Sequence, residues 1–247
     1  MTEAQPNEMP ILWSFRRCPY AMRARLAIQS SGSAVYLREI LLRDKPDEFI
    51  HDSAKATVPV LRLTDGTVID ESLDVMHWAL AQNDPENWRD ILAKDPEAST
   101  AFLDECDGAF KSALDRYKYA SRYAKNPDGY AKNPDDGNGN GKDHDQGRDI
   151  QDEALYHRGI GAEFLGRINA TLKDQPFLSG DKQGFLDMAC LPFIRQFRIA
   201  DPAWFDEQDW PYLHPWLQDF LQSERFAAIM KKYDPWKETG GDGLWPW

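Results

Sequence analysis

Apolar positions in the first third of the chain come in short runs whose period keeps changing. Ile11–Phe15, "ILWSF", predicts a buried strand. Residues 20–32, "YAMRARLAIQSSG", place Ala21, Ala24, Leu26, Ala27 and Ile28 among arginines and end on Gly32, the pattern of a helix with its stop signal. Residues 34–40, "AVYLREI", alternate as a strand does. Residues 45–52 suit a short helix with Pro46 in its first turn. "VPVLRL" (58–63) and "TVID" (67–70), joined by Asp65-Gly66, predict a β-hairpin. Residues 71–84 return to helical spacing through Leu73, Val75, Met76, Trp78, Ala79 and Leu80.

After this the strand signals stop. From Pro85 onward the patterns are helical, over 97–124, 148–172, 185–199, 212–221 and 223–232. The expectation is a small α/β domain, 1–84, and an all-helical domain, 85–247, with "NDPENWRD" between them. One segment breaks the helical series. "YAKNPDG" (123–129) is followed at once by "YAKNPDD" (130–136) and then by "GNGNGKDHDQG" (137–147), which predicts a mobile polar insertion near 124–148. Its Asp136-x-Asn138-x-Asn140-Gly141 matches the first half of a calcium loop. The twelfth position, where a bidentate glutamate belongs, is Gly147, so a solvated insertion is the preferred reading.

Composition narrows the function classes. A net charge of -12 offers no basic stripe to replace phosphate counterions, which argues against nucleic acid. Three widely spaced cysteines, Cys18, Cys106 and Cys190, imply no disulfide framework. The polar, acidic start "MTEAQPNEMP" has no secretory pattern, and no run approaches the ~18 apolar residues of a membrane helix. The expectation is a soluble, cytoplasmic protein with no membrane partner. The histidines have no neighbouring Cys or His at ligand spacing, so no metal site is expected.

Candidate chemistry enters at "RRCPYAM" (16–22). A Cys-x-x-Cys redox pair would need a second cysteine at position 21, where the chain has Ala21. Cys18 falls where the first strand gives way to the first helix. There the helix N-terminus favours an anion, and a thiol attacks only as its thiolate. Pro19 suits that first turn because its missing N–H leaves no helix bond unmade. Arg16 and Arg17 add positive potential. Cys106 and Cys190, each within an apolar helical face, fit the commoner role of buried thiols. Pro59 stands at the entry to a strand, where proline is disfavoured, so a special turn with a cis bond is expected. Glu71 and Ser72 open the third helix, where a hydroxyl and N–H groups can hold a carboxylate and Glu71 can hold an ammonium.

Cys18-Pro19, Pro59 and the Glu71-Ser72 pair, in this order of strands and helices, together resemble the glutathione transferase superfamily. The resemblance covers 11–84 by motif and 97–235 by pattern, and implies a thioredoxin-like first domain followed by an all-helical second one. Cys18-Pro19-Tyr20-Ala21 resembles the cysteine-containing, omega-like branch. There Cys18 is the nucleophile, Pro19, Tyr20 and Pro59 line the glutathione site, and Lys45 of "LRDKPDEF" contacts the glycine carboxylate. Val58 pairs backbone groups with the cysteinyl part, and Glu71 and Ser72 hold the γ-glutamyl end. Glutathione is then the co-substrate, the partners are a small electrophile or disulfide and a second copy in a homodimer, and the activity is thiol transfer or dehydroascorbate reduction. Two alternatives stay open: reductive removal of glutathione from quinone conjugates, and a non-catalytic binding protein on the same fold. Retention of the nucleophile with the glutathione holders favours an enzyme. "RYKYASRY" (116–123) offers Arg116, Tyr117 and Tyr123 to a second-substrate pocket, against the simpler reading of a packed tyrosine stripe. "FLSGDKQGFLDMACLPF" (177–193) resembles the family's capping segment, with Gly184 in place of the usual Ser or Thr and Asp187 kept. The aromatic tail "GLWPW" (243–247) is left between covering that pocket and packing on the surface.

Overall fold

β1 (Ile11–Ser14) is buried along its whole length because strands flank it on both sides. It pairs in parallel with β2 (Val35–Glu39) and antiparallel with β3 (Val60–Arg62). β3 continues into β4 (Val68–Ile69) through a turn in which Gly66 takes a φ of +88°, a conformation that favours glycine. The computed structural model describes residues 9–123 and 150–246. The duplicated segment after Tyr123, the insertion expected near 124–148 and the half calcium motif lie outside them.

Helix α1 (Pro19–Ser31) ends on Gly32 in the left-handed conformation, as its stop signal predicts. It packs against α3 (Ser72–Gln82), while α2 (Asp47–Asp52) starts after Pro46. Strands and helices thus follow the predicted order from Ile11 to Gln82. Within α1 the two arginines are not surface residues: Arg23 and Arg25 are both 0% exposed.

A fifth strand is the main departure from the sequence pattern. β5 (Gly243–Trp245) pairs antiparallel with β2, giving the sheet order β4-β3-β1-β2-β5. The aromatic tail therefore completes a sheet edge rather than lying loose. By contact, the span Leu221–Trp247 joins Met1–Asn87 in one compact unit, and Trp88–Phe220 forms the second. Arg38 clasps the tail: its guanidinium lies 4.8 Å from the Trp13 ring and 4.5 Å from the Trp236 ring. The same guanidinium donates to both carboxylate oxygens of Asp242, at 2.6 and 2.9 Å. α12 (Glu224–Ile229) packs on α1, and Arg225 bonds Glu86 at 2.6 Å.

The second unit is helical among its described residues. The predicted helix over 97–124 is α5 (Pro96–Glu105), a wider π-helical turn at Cys106–Phe110, α6 (Lys111–Lys118) and α7 (Ala120–Tyr123), preceded by the short α4 (Asp90–Lys94). α8 (Ile150–Asp174) and α9 (Phe185–Ala200) pack with it. α10 (Pro202–Asp206) and α11 (Leu213–Gln222) follow. The buried Asp187 carboxylate accepts from the N–H groups of Leu178 (2.8 Å), Ser179 (3.1 Å) and Gly184 (3.1 Å), and from the Trp216 indole (3.1 Å). Burial, the largest cause, pushes this carboxyl up. A Cβ at Gly184 would lie 2.8 Å from the Ser179 side chain, so the missing Ser or Thr cap is a requirement of close approach.

Candidate active site

Cys18 is the N-cap of α1, in an extended conformation with φ -75° and ψ 124°. Its N–H donates to the Phe15 carbonyl at 2.9 Å, closing the turn that leaves β1. Its carbonyl receives the Met22 N–H at 3.0 Å, the first helical bond. Pro19 fills the first helical position, as its fixed φ favours. The thiol is half-buried and packs against the cluster of Ile11, Trp13, Ala21, Ile40, Phe49, Val58 and Val60.

Sγ lies 3.7 Å from the Val58 carbonyl, within reach of a weak thiol hydrogen bond. The Val58–Pro59 peptide is cis and β3 begins at the next residue, so the proline precedes the ladder instead of interrupting it. This brings Cys18 together with the Val58-Pro59 turn. Ala21, where a second cysteine of a redox pair would stand, is 0% exposed.

The first turns of α1 and α3 are linked by Arg23. Its Nη1 donates to the Ser72 hydroxyl at 3.4 Å, and its guanidinium lies 5.6 Å from the Tyr20 ring. Ser72 is buried as the first residue of α3, and Glu71, the N-cap, is exposed. Lys55 approaches Glu71 at 2.5 Å and Asp70 at 3.3 Å. These carboxylates raise the lysine above its ordinary value, the Glu71 hydrogen bond most of all. Lys45, half-buried, directly precedes the N-cap of α2.

The residues named for a second substrate lie in the helical unit. Arg116 is 3.9 Å from Glu153 and stacks 5.0 Å from the Tyr123 ring. Tyr117 packs its ring 5.1 Å from Phe197, with the Arg158 guanidinium 6.0 Å away. Burial pushes both tyrosine hydroxyls up. Cys106 and Cys190 face each other with sulfurs 3.8 Å apart, both 0% exposed.

Sequence reasoning missed Arg23, Lys55, and the buried pair of Arg25 with Glu39. The only signal for the arginines was their setting: two cations two residues apart in the stretch Ala21–Ile28, which is otherwise Ala, Leu, Ile and Met. Lys55 and Glu39 carried none, because their partners are distant in sequence.

Two family models match the chain: glutathione S-transferase, N-terminal domain, over residues 12–88, and glutathione S-transferase, C-terminal domain, over residues 144–219. A protein of Aplysia californica named "Probable glutathione transferase" is 36% identical over 70 residues, which cover 28% of this chain and 76% of that protein. Among solved structures, a Pseudomonas fluorescens glutathione transferase family member with two glutathiones bound superposes with a TM-score of 0.68 at 13% identity, over 92% of this chain and 94% of that one. Glutathione transferase Omega 3C of Trametes versicolor gives 0.67 at 13%, covering 95% and 93%. The Tau class MiGSTU of mango, Mangifera indica, gives 0.65 at 21%, covering 91% and 93%. At these identities the structural likeness is one of fold.

Proposed function

The chain belongs to the glutathione S-transferase family, and from that footing we propose that it is a glutathione-dependent thiol transferase or reductase of the omega-like type, with Cys18 as its nucleophile. The observation that carries this reading is the placement of the Cys18 sulfur at the head of α1, 3.7 Å from the Val58 carbonyl beside cis-Pro59. The positive end of α1 favours the thiolate over the thiol.

The donor set fits glutathione. The Val58 backbone matches the amide of the cysteinyl residue. The Ser72 hydroxyl, at the N-terminus of an eleven-residue helix, matches the γ-glutamyl carboxylate. The Glu71 carboxylate matches the γ-glutamyl ammonium, and the Lys45 ammonium the glycine carboxylate. Pro19 and Tyr20 form the near wall. Arg116, Tyr117 and Tyr123 remain the residues proposed for the second substrate. A homodimer is the assembly proposed.

Chemistry follows from the lone thiol. The Cys18 thiolate attacks the glutathione sulfur of a mixed disulfide R–S–S–G, forming a bond to that sulfur and expelling RS⁻, which takes a proton. A second glutathione thiolate then attacks the same sulfur, freeing the Cys18 thiolate and leaving GSSG. With Ala21 buried where a resolving cysteine would stand, that second step falls to glutathione.

The test compares hydroxyethyl disulfide, dehydroascorbate and chlorodinitrobenzene as substrates for the parent and Cys18→Ala. Thiol transfer is expected in the parent and absent in the variant. Strong conjugation of chlorodinitrobenzene that survives Cys18→Ala would overturn the mechanism.

A further inference from the structure

The turn that presents Cys18 is held by a buried carboxylate from another strand. β2 ends on Glu39, which stands in register with Ser14, the last residue of β1. Past Ser14 the chain leaves the ladder, and Phe15–Arg17 have no strand partner to fix them. Glu39 supplies one: its Oε1 accepts the Arg16 N–H at 2.7 Å, two residues before the nucleophile. Its Oε2 takes Arg25 Nη2 from within α1. Arg25 in turn donates Nε to the Ser14 hydroxyl (2.8 Å) and Nη1 to the Ile229 carbonyl (3.0 Å). Arg16 Nη1 reaches the Met230 carbonyl at 3.1 Å. The end of α12 thus closes the network from the far end of the chain.

Arg25 is 0% exposed and Glu39 7%. A buried ion pair is weak support for stability, since a well-packed apolar pair of similar volume often does as well. An oxygen aimed at a main-chain N–H in a turn does what an apolar residue cannot. A charge-assisted bond of this kind is short and directional, and here it fixes where α1 begins. The start of α1 determines whether Cys18 sits at the N-cap, within reach of the helix end and of Val58.

We propose that Glu39 is a positioning residue for Cys18, acting through the Arg16 N–H. The proposal rests on the reading of Cys18 as the nucleophile. It assigns the glutamate no contact with substrate.

The experiment uses two double variants of the full chain, Arg25→Met/Glu39→Gln and Arg25→Met/Glu39→Leu. Both discard the buried charges at similar volume, and only the first keeps an acceptor for the Arg16 N–H. Melting temperature and circular dichroism establish that each is folded. The readouts are the iodoacetamide alkylation rate at Cys18, followed by peptide mass spectrometry, and the split of thiol-transfer kinetics into kcat and KM for glutathione. The Gln pair is expected to retain most of the parent rate. The Leu pair should lose about tenfold in alkylation and in kcat, with KM within about twofold. Equal rates for the two pairs would overturn the proposal.

Glu39→Asp provides a second arm should the Leu pair fail to fold. It keeps the charge but withdraws the carboxylate by one methylene, and an unchanged alkylation rate there would also overturn the proposal. Alkylation reads the thiol itself. Its outcome is therefore separable from that of Cys18→Ala, which tests turnover.

Discussion

Among the residues proposed to hold glutathione, Glu71 and Ser72 stand together at the head of α3. Glu71 projects its carboxylate there beside Lys55, with the Ser72 hydroxyl behind it. If Glu71 takes the γ-glutamyl ammonium, it holds the part of glutathione that does not react. Its loss should then weaken ground state and transition state alike. Glu71→Gln is expected to raise KM for glutathione about tenfold, the scale of one hydrogen bond to a charged group, with kcat within about twofold. Steady-state kinetics with hydroxyethyl disulfide measures this, and a change confined to kcat would contradict the assignment. Cys18, Pro59 and Glu71-Ser72 were legible in the sequence because each breaks a local rule: a polar residue at a strand end, a proline at a strand start, a polar pair at a helix start. Lys55 breaks none, and only its contacts across the fold make it visible.

At the scale of elements, α8 and α9 meet at a position that periodicity cannot flag. A Cβ on Gly161 of α8 would lie 2.3 Å from the ring of Phe197, which is buried on α9. In an open helix Gly→Ala is stabilising by about 1 kcal/mol. Here the ring must shift in a filled core, at a cost of about 1–3 kcal/mol, and the overpacking is expected to win. Gly161→Ala should therefore lower the apparent Tm by a few degrees in a thermal scan. A rise in Tm would show that the ring has room to move. The Asp187 carboxylate makes a stronger case, since Asp187→Ala leaves three main-chain N–H groups and an indole without their acceptor. At about 1–3 kcal/mol for each buried donor left unpaired, the loss should exceed about 3 kcal/mol. That corresponds to a fall of at least about 6 °C in the same scan. The helices themselves were readable from apolar spacing. The π-helical turn at Cys106–Phe110 was not, because apolar spacing does not report where a helix widens locally.

On the scale of the whole chain, residues 236–246 return to the sheet through β5, a Lys237–Asp44 ion pair and the Arg38 clasp. Arg38 is flanked by Trp13 and Trp236 and grips Asp242 with two bonds. That guanidinium holds the Asp242 carboxyl below its ordinary value, with the side-chain hydrogen bonds as the largest cause. A depressed carboxyl adds stability that is fully present above its unfolded value of about 3.9 and lost as pH falls through the lower folded value. The clasp should therefore hold at pH 5 and open only in acid below about pH 4. Limited proteolysis of the 236–246 segment by an acid-active protease, across pH 5 to 3, reads this directly. Asp242→Asn should expose the segment at all these pH values and remove the acid step. Protection that is unchanged in the variant would assign the hold to the contacts other than the Arg38–Asp242 pair.

Local sequence is enough to set the series of elements from Ile11 to Gln82, the helices described between Asp90 and Ile229, and the place of Cys18 at the start of α1. A period, a stop residue or a proline acts on its own neighbourhood, so each can be read without knowing the fold. The burial of Arg23 and Arg25, the reach of Glu39 to the turn before Cys18, and the edge strand Gly243–Trp245 were settled by tertiary structure alone. Each of those joins residues from 23 to more than 200 positions apart, or sets burial against a charged side chain's usual preference for water. A strand as short as Gly243–Trp245 has too few residues to show alternation, and it exists because β2 offers it an unpaired edge.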